Sequence, residues 1–221
     1  MAAAIVHEAL PLFGQGALAP DRTFGATVRH RLAASSWVEH QHGWLSGSDT
    51  LFDALVSAVP WQQHRRPMYD RLVDEPRLTA WYPAGATWPH PVLAELASAL
   101  SERYGQRLAN LGLNLYRDGA DSVAWHGDRI GRAYPEPVVA IVSLGAPRPF
   151  LLRPRGGGGR CRRFTLGWGD LLVMGGRCQQ ELDHAVPKVA AAGPRLSVMF
   201  RPHDEGWVQR VVVSSRRMSP A

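Results

Sequence analysis

The stretch that decides the fold class is LGLNLY, residues 111–116, where the apolar side chains change from helical to alternating spacing. Leu111, Leu113 and Leu115 share one face of an extended chain, while Asn114 and Tyr116 share the other. Short apolar runs separated by Gly and Pro follow it: SVAWH, VVAIVSLG, FLLRP, FTLGWGDLLVM and RLSVMFR. So many short strands in the C-terminal half predict a double-sheet barrel of the jelly-roll type.

Two helices are predicted before these strands. Residues 46–61, SGSDTLFDALVSAVPW, are expected to form a helix that is capped near Ser48 or Asp49 and ends at Pro60. Residues 90–105, HPVLAELASALSERYG, place apolar side chains at helical spacing, with Gly105 at the end. We expect both helices to brace one sheet of a single domain spanning residues 1–221.

Composition narrows the class of protein. The 221 residues carry 25 Lys and Arg against 19 Asp and Glu, a net charge of +6, which favours polyanionic partners such as nucleic acid. Cys161 and Cys178 form no C-x-x-C pair, so neither a disulfide framework nor a thiolate zinc site is indicated. Because there is no convincing signal peptide and no run of 18 apolar residues, we expect a cytoplasmic protein with no membrane contact. We also expect it to be a monomer.

The stretch WHGDRIGR, residues 125–132, indicates a metal site. On a strand, His126 and Asp128 point to the same face with Cα atoms roughly 6.6 Å apart. A second, distant histidine would complete the facial triad of non-haem iron oxygenases, which leaves positions open for a chelating co-substrate and dioxygen. His184 and His203 are the candidates downstream, and His184 fits better because it follows the strand GDLLVM.

A competing histidine pair lies in WVEHQHGW, residues 37–44. His40 and His42 have the same spacing and stand next to Glu39. Because no adjacent strand pattern supplies further ligands, we interpret this stretch as a polar strand edge near the surface.

The last strand, RLSVMFR, carries an anion-binding pattern. Arg195, Ser197 and Arg201 point to one face, and two arginines reaching inward could grip a short dicarboxylate bidentately. Asn114 and Tyr116 offer further hydrogen-bond donors on their own strand. The alternative for both strands is a polar face turned towards solvent.

Taken together, these motifs resemble the AlkB family of Fe(II)/2-oxoglutarate-dependent dioxygenases. The family pattern N-x-Y, H-x-D, H and R-x-[NS]-x-x-x-R reads here as Asn114-Leu-Tyr116, His126-Gly-Asp128, His184 and Arg195-Leu-Ser197-Val-Met-Phe-Arg201. EPRLTAWY, SLGAPRPFLLRP and GDLLVMGG also match in order and spacing, so the resemblance covers roughly residues 60–202.

The resemblance implies a mainly β, α+β fold: a double-stranded β-helix (jelly-roll or cupin-like) barrel braced by N-terminal helices. It implies an N-terminal extension and helix (1–60), a nucleotide-recognition lid and bracing helix (61–109), a catalytic core (110–202) and a C-terminal segment (203–221). His126, Asp128 and His184 would bind Fe(II). Arg195, Tyr116 and Ser197 would hold the distal carboxylate of 2-oxoglutarate, and Arg201 and Asn114 its end near the metal.

Substrate contacts follow the family pattern less closely. Relatives carry an aromatic-bearing hairpin after the WY segment, whereas only PAGAT separates Tyr82 from Trp88 here. The candidates for contact with nucleic acid are Arg77, Trp81, Tyr82, Trp88, Arg129, Arg132 and Arg162. The last lies in a glycine-rich basic loop, LRPRGGGGRCRR, that could track a phosphate backbone or form a solvated hairpin tip. Arg129 and Arg132 could contact phosphate or pair with Glu136.

The function implied is oxidative dealkylation of bases such as 1-methyladenine and 3-methylcytosine in DNA, with RNA as a further candidate. Dioxygen and 2-oxoglutarate would be converted to succinate and CO2, and the alkyl group would leave as an aldehyde. Two alternatives stay open: an Fe(II)/2-oxoglutarate hydroxylase of a non-nucleic-acid substrate, and a catalytically inactive nucleic-acid-binding protein.

Overall fold

The computed structural model describes residues 17–68, 71–128 and 136–203. Short strands dominate it, and three helices accompany them. The strands are β1 (Ala19–Pro20), β2 (Val28–Arg31), β3 (Ser36–Gln41), β4 (Leu45–Ser46), β5 (Arg65–Met68), β6 (Arg71–Asp74), β7 (Leu78–Tyr82), β8 (Asn110–Tyr116), β9 (Val123–His126), β10 (Val139–Gly145), β11 (Arg148–Pro154), β12 (Arg162–Leu166), β13 (Asp170–Gly176), β14 (Leu182–Val186) and β15 (Arg195–Arg201). The helices are α1 (Ser48–Ala58), α2 (Val92–Tyr104) and α3 (Cys178–Glu181).

Two antiparallel sheets form the barrel. The major sheet has seven strands in the order β2-β3-β13-β10-β15-β8-β7, and the minor sheet has four in the order β12-β11-β14-β9. Neighbours in space are mostly distant in sequence, which is the strand arrangement of a double-stranded β-helix. The fold class predicted from the alternating runs is therefore confirmed.

Each face of the major sheet has its own hydrophobic layer because its strands alternate. The outer layer packs β8, β10, β13 and β15 against α1 and α2, and Leu113, Val142 and Val198 are fully buried within it. The inner layer lies between the two sheets and includes Ile141 and Phe150. The helices thus brace one face, as predicted, and leave the other free to build a cavity.

Three local details differ from expectation. The N-cap of α1 is Gly47, at φ 63° and without a side-chain cap, and Ser48 and Asp49 are already helical and buried. The run FTLGWGDLLVM is two strands in different sheets, because a turn at Trp168 and Gly169 breaks it. His184, expected in the segment that follows the strand GDLLVM, lies on a further strand of its own, β14.

The hairpin nearest the WY segment precedes it in the chain. Strands β5 and β6 pair antiparallel, with Arg65 opposite Asp74, before β7 joins the edge of the major sheet. Leu72 and Val73 of this hairpin are exposed. Within the described ranges, no helix combines the length and apolar character needed to cross a bilayer.

Candidate metal centre and co-substrate pocket

The three predicted metal ligands meet between two strands of the minor sheet. His126 on β9 stands directly opposite His184 on β14, and their ring centroids are 4.2 Å apart. Asp128 lies two residues beyond the end of β9, outside the strand, and its carboxylate joins the two histidines. One potential ligand atom from each of the three lies within 4.8 Å of the others. Two imidazole nitrogens and one carboxylate in this arrangement suit a divalent transition metal with open coordination positions.

Neighbouring groups orient the first two residues of this triad. The Nδ1 atom of His126 is 2.9 Å from the carbonyl oxygen of Ala124, which favours the tautomer that leaves Nε2 free to bind a metal. Arg201 donates from Nη2 to Oδ1 of Asp128 at 3.0 Å. Burial by itself raises the pKa of Asp128, but Arg201 and the two histidine rings outweigh it, so the net pKa is lowered. The carboxylate is therefore ionised, the form in which it binds a metal.

His184 is prepared in a different way. Its side chain is buried, and Phe150 stacks on it with ring centroids 5.5 Å apart. Burial lowers the pKa of His184 to about 4. The imidazole is therefore neutral at physiological pH, as a metal ligand must be.

The His-Asp-His triad opens into a cavity of about 540 Å³ between the sheets. One wall is the ladder between β8 and β15, in which Arg195 stands opposite Tyr116, and Ser197 opposite Asn114. Directly opposed residues share a face, and all four of these side chains line the cavity together with Arg201. The alternative in which these polar faces point to solvent is thus wrong.

Arg195 forms the closed end of the pocket. It is 1% exposed, and its Nε donates to the hydroxyl of Ser143 on β10 at 2.8 Å. Its guanidinium lies 5.3 Å from the centre of the Tyr116 ring. Nη2 is buried without a hydrogen-bond partner among the described residues. A buried guanidinium with an unused donor is suited to bind an anion, and the distal carboxylate of 2-oxoglutarate would supply one.

Arg201 lies at the other end of the same strand face, next to the triad. Besides Asp128, it contacts the sulfur of Met199 at 3.9 Å and lies 5.7 Å from the Trp81 ring centre. Asn114 also donates to this sulfur, at 3.7 Å. Met199 is not among the predicted site residues, although its place in the RLSVMFR alternation already directs it inward.

Strand β7 and Arg77, which directly precedes it, form another wall of the cavity. Arg77, Trp81 and Tyr82, three of the predicted contact residues, all line the cavity. Arg77 is held by Glu75 at 2.9 Å.

Trp88 does not join these cavity residues. It packs against Phe200 of the outer layer, with ring centroids 5.9 Å apart, because it lies on the helix-covered side of the sheet. The structure therefore does not bring Trp88 together with the predicted contact residues that line the cavity.

Several arginines lie on the minor sheet near the predicted metal ligands. Arg153 stacks over Trp125 at 4.2 Å, and Arg155 pairs with Asp183 at 3.5 Å. The guanidinium of Arg155 also passes close to Gly127, where an added Cβ would have to displace the flexible end of the arginine. Farther out, Arg162 is exposed on edge strand β12. Arg129 and Arg132 lie outside the described residues, and so does their predicted contact with phosphate.

Three further residues of the site escape prediction from the sequence. Ser143, which holds Arg195, is detectable as the single polar side chain in the apolar run VVAIVSLG. Gln62 and His64, by contrast, lie in an irregular segment before β5 and reach the cavity only through the fold. No periodic pattern in the sequence marks them.

Comparison with known proteins agrees with this geometry. The family model of the 2OG-Fe(II) oxygenase superfamily matches residues 81–216. Alpha-ketoglutarate-dependent dioxygenase alkB homolog 3 of Bos taurus is 34% identical over 181 residues, covering 71% of this chain and 62% of that protein. DNA oxidative demethylase ALKBH2 of Arabidopsis thaliana is 30% identical over 191 residues, covering 69% and 61%. The solved structure of OsALKBH1 has a TM-score of 0.54 at 15% identity and covers 80% of this chain and 100% of that one, a likeness of fold.

The chain belongs to the 2OG-Fe(II) oxygenase superfamily and, within it, to the AlkB family. It spans about three-fifths of the length of the curated relatives described above. Membership implies Fe(II) and 2-oxoglutarate as cofactor and co-substrate. The residues present fit both groups: a His-Asp-His donor set within 4.8 Å, and a buried arginine with an unused donor in the same cavity.

Proposed function

We propose that this protein is an Fe(II)/2-oxoglutarate-dependent dioxygenase that removes alkyl groups from bases such as 1-methyladenine and 3-methylcytosine in DNA, with RNA as a further candidate substrate. The observation that carries the proposal is the shared cavity. It brings His126, Asp128 and His184 together with Arg195, and its remaining wall carries Trp81.

These side chains would bind and orient the metal and the co-substrate, and none of them would have to act as a strong acid or base. His126, Asp128 and His184 would hold Fe(II) on one side and leave its cavity side open. Arg195 and Tyr116 would orient 2-oxoglutarate by its distal carboxylate, and Arg201 keeps Asp128 ionised and in place. When bound, Fe(II) and 2-oxoglutarate supply the oxidation, in which dioxygen is consumed, succinate and CO2 form, and the hydroxylated alkyl carbon leaves as an aldehyde.

Aromatic and cationic side chains support a nucleic-acid substrate. A base that is demethylated must leave its stack and lie against apolar or aromatic surface, and Trp81 and Tyr82 supply such surface beside the metal centre. The net charge of +6 and the exposed arginines of β12 favour a polyanion. The name of the relative from Arabidopsis thaliana, DNA oxidative demethylase ALKBH2, points in the same direction.

The test uses single-stranded oligonucleotides that carry one 1-methyladenine or one 3-methylcytosine, in DNA and in RNA. Protein is loaded without oxygen with Fe(II) and 2-oxoglutarate, exposed to air, and the strand mass and succinate are measured. We expect the loss of one methyl group, dependent on 2-oxoglutarate and abolished by His184→Ala. His30→Ala, which removes an exposed histidine of β2 that lies outside the cavity, is the matched control.

Other outcomes identify the alternatives. Succinate formation with every strand unchanged would indicate a hydroxylase of a different substrate. Strand binding without succinate formation in the Fe(II)-loaded protein would indicate a nucleic-acid-binding protein without catalysis.

A further inference from the structure

A second group of metal-binding side chains lies away from the triad. His40 on β3, His42 just beyond it and Asp170 at the start of β13 each place one potential ligand atom within 4.8 Å of the others. His40 stands opposite Leu172 and Gln41 opposite Leu171 in the β3–β13 ladder, so His42 and Asp170 come together where the ladder ends. The third potential metal ligand, which the stretch WVEHQHGW does not itself contain, is thus Asp170, 128 residues beyond His42 in the chain.

The carboxylate of Asp170 is held in position by the backbone. Gly43 donates its N–H to Oδ1 at 2.9 Å, and Gly167 donates its N–H to Oδ2 at 3.0 Å. The Nδ1 atom of His42 is 3.3 Å from Oδ2. Because a carboxylate oxygen can accept two bonds, Oδ1 keeps a lone pair that could bind a metal. Backbone groups that orient a carboxylate in this way are typical outer-shell partners of a metal ligand.

His40 provides a second, independent observation that favours a ligand at this position. Its Nε2 atom is buried and has no hydrogen-bond partner among the described residues. Its ring lies 4.3 Å from that of His42 and 5.6 Å from that of Phe164. A buried nitrogen without a partner is costly, and a metal ion would remove that cost.

We propose that His40, His42 and Asp170 form a second metal site, separate from the iron triad, that binds a divalent transition-metal ion such as zinc. Two imidazoles and a carboxylate are a common ligand set for such ions. Ligand atoms around a tetrahedral zinc ion lie roughly 3.4 Å apart, since the bonds are about 2.1 Å long, so small side-chain rotations close the site. His42 is 76% exposed at its side chain, which leaves the ion an entry path and a water-filled fourth position.

The site has a structural consequence. An ion bound there would tie the end of β3 to the start of β13, two adjacent strands of the major sheet that lie far apart in sequence. It would also stabilise the turn at Gly43, whose N–H already binds Asp170. We therefore expect the ion to stabilise the barrel rather than to take part in oxidation.

The test removes the iron site first. The double variant His126→Ala/Asp128→Ala is stripped of metal, dialysed against Zn²⁺ and analysed for bound zinc per chain. We expect one ion, and its loss when His42→Ala or His42→Gln is added. His42→Gln keeps a hydrogen-bonding side chain next to Asp170 while removing the imidazole. The matched control is His64→Ala, an exposed histidine that belongs to neither group of ligands.

Thermal unfolding provides a second readout. Zn²⁺ should raise the unfolding midpoint of the double variant and of its His64→Ala control, but not that of the two His42 variants. If the double variant binds no zinc, or if its zinc content does not change when His42 is replaced, the second site does not exist and His42 only bonds to Asp170. Because the iron triad is absent throughout, failure here leaves the proposed dealkylation untouched.

Discussion

His126 and His184 stand opposite each other in the ladder between β9 and β14, 58 positions apart in the chain but with ring centroids only 4.2 Å apart. The ladder shifts its register just beyond this pair, between His184 and Val186. Two strands that are separate in sequence thus supply the two imidazoles, and the turn after β9 adds Asp128. The proposed iron centre depends on this pairing.

Loss of one triad histidine should abolish turnover. Losing an outer-shell partner of a metal typically costs 10- to 100-fold in activity or affinity, so removal of a ligand by His184→Ala should cost more than about 100-fold. The measurement is 2-oxoglutarate-dependent succinate formation together with Fe(II) affinity. His64→Ala should retain near-normal Fe(II) affinity, and full activity of His184→Ala would show that the triad is assigned incorrectly.

Replacing Arg195 should weaken 2-oxoglutarate specifically. Arg195→Lys loses the bidentate fork, and a hydrogen bond to a charged group is worth about 1.5–3 kcal/mol, so the KM for 2-oxoglutarate should rise roughly 10- to 150-fold. Ser143→Ala removes only the acceptor that holds Nε and should raise KM by about 2- to 10-fold. Ser98→Ala, on the exposed side of α2, is the control. Equal KM values for Arg195→Lys and wild type would contradict the pocket assignment.

Replacing Trp81 should affect strand binding, whereas replacing Trp88 should affect the stability of the fold. Trp81→Ala removes aromatic surface from the cavity and should weaken binding of the modified strand by about 1–3 kcal/mol, or 5- to 150-fold in affinity. Trp88→Ala removes a half-buried side chain that packs against the outer hydrophobic layer and should lower the free energy of unfolding by about 0.5–3 kcal/mol while leaving strand affinity unchanged. Strand-binding titrations and urea unfolding distinguish them, and the reverse pattern would place the base elsewhere.

The metal-free protein should lose stability in mild acid. Because the pKa of His184 is about 4 in the folded chain and about 6.5 in the unfolded chain, the unfolded chain takes up the proton first as pH falls. The contribution is complete above about pH 6.5 and is lost towards pH 4, by up to about 3 kcal/mol. Urea unfolding between pH 7.5 and 4.5 should therefore be less steeply pH-dependent for His184→Gln. Parallel curves for the two proteins would contradict burial as the cause of the shift.

Arg162, one of the two exposed arginines of β12, should act through charge alone. Arg162→Ala should weaken binding of modified and unmodified strands to a similar extent and reduce the salt dependence of binding by about one unit of slope. The KM for 2-oxoglutarate should not change, since Arg162 lies outside the cavity. Arg22→Ala, an exposed arginine beside Glu102, serves as the control. An unchanged salt slope would mean that β12 does not contact the backbone of the strand.

Much of the iron site could be predicted because strands alternate. The spacings N-x-Y and R-x-S-x-x-x-R each place their residues on one face, and the ladder between β8 and β15 keeps those faces together. The spacing H-x-D marks the metal ligands, although Asp128 lies two residues beyond the end of β9 rather than on it. The second histidine cluster could not be predicted in the same way. Its two histidines are visible as a pair, but Asp170 reaches them only through the pairing of β13 with β3.

The sequence by itself determined the local directions of side chains, because a strand turns alternate residues to opposite faces and a helix repeats every 3.6 residues. From these directions follow the mainly β class and the inward arginines. Only the tertiary structure decided which distant strands lie side by side. Such pairings depend on the packing of the whole chain. They bring His184 opposite His126 and bring Asp170 close to His40 and His42. The tertiary structure also places Trp81 and Trp88 on opposite sides of the major sheet.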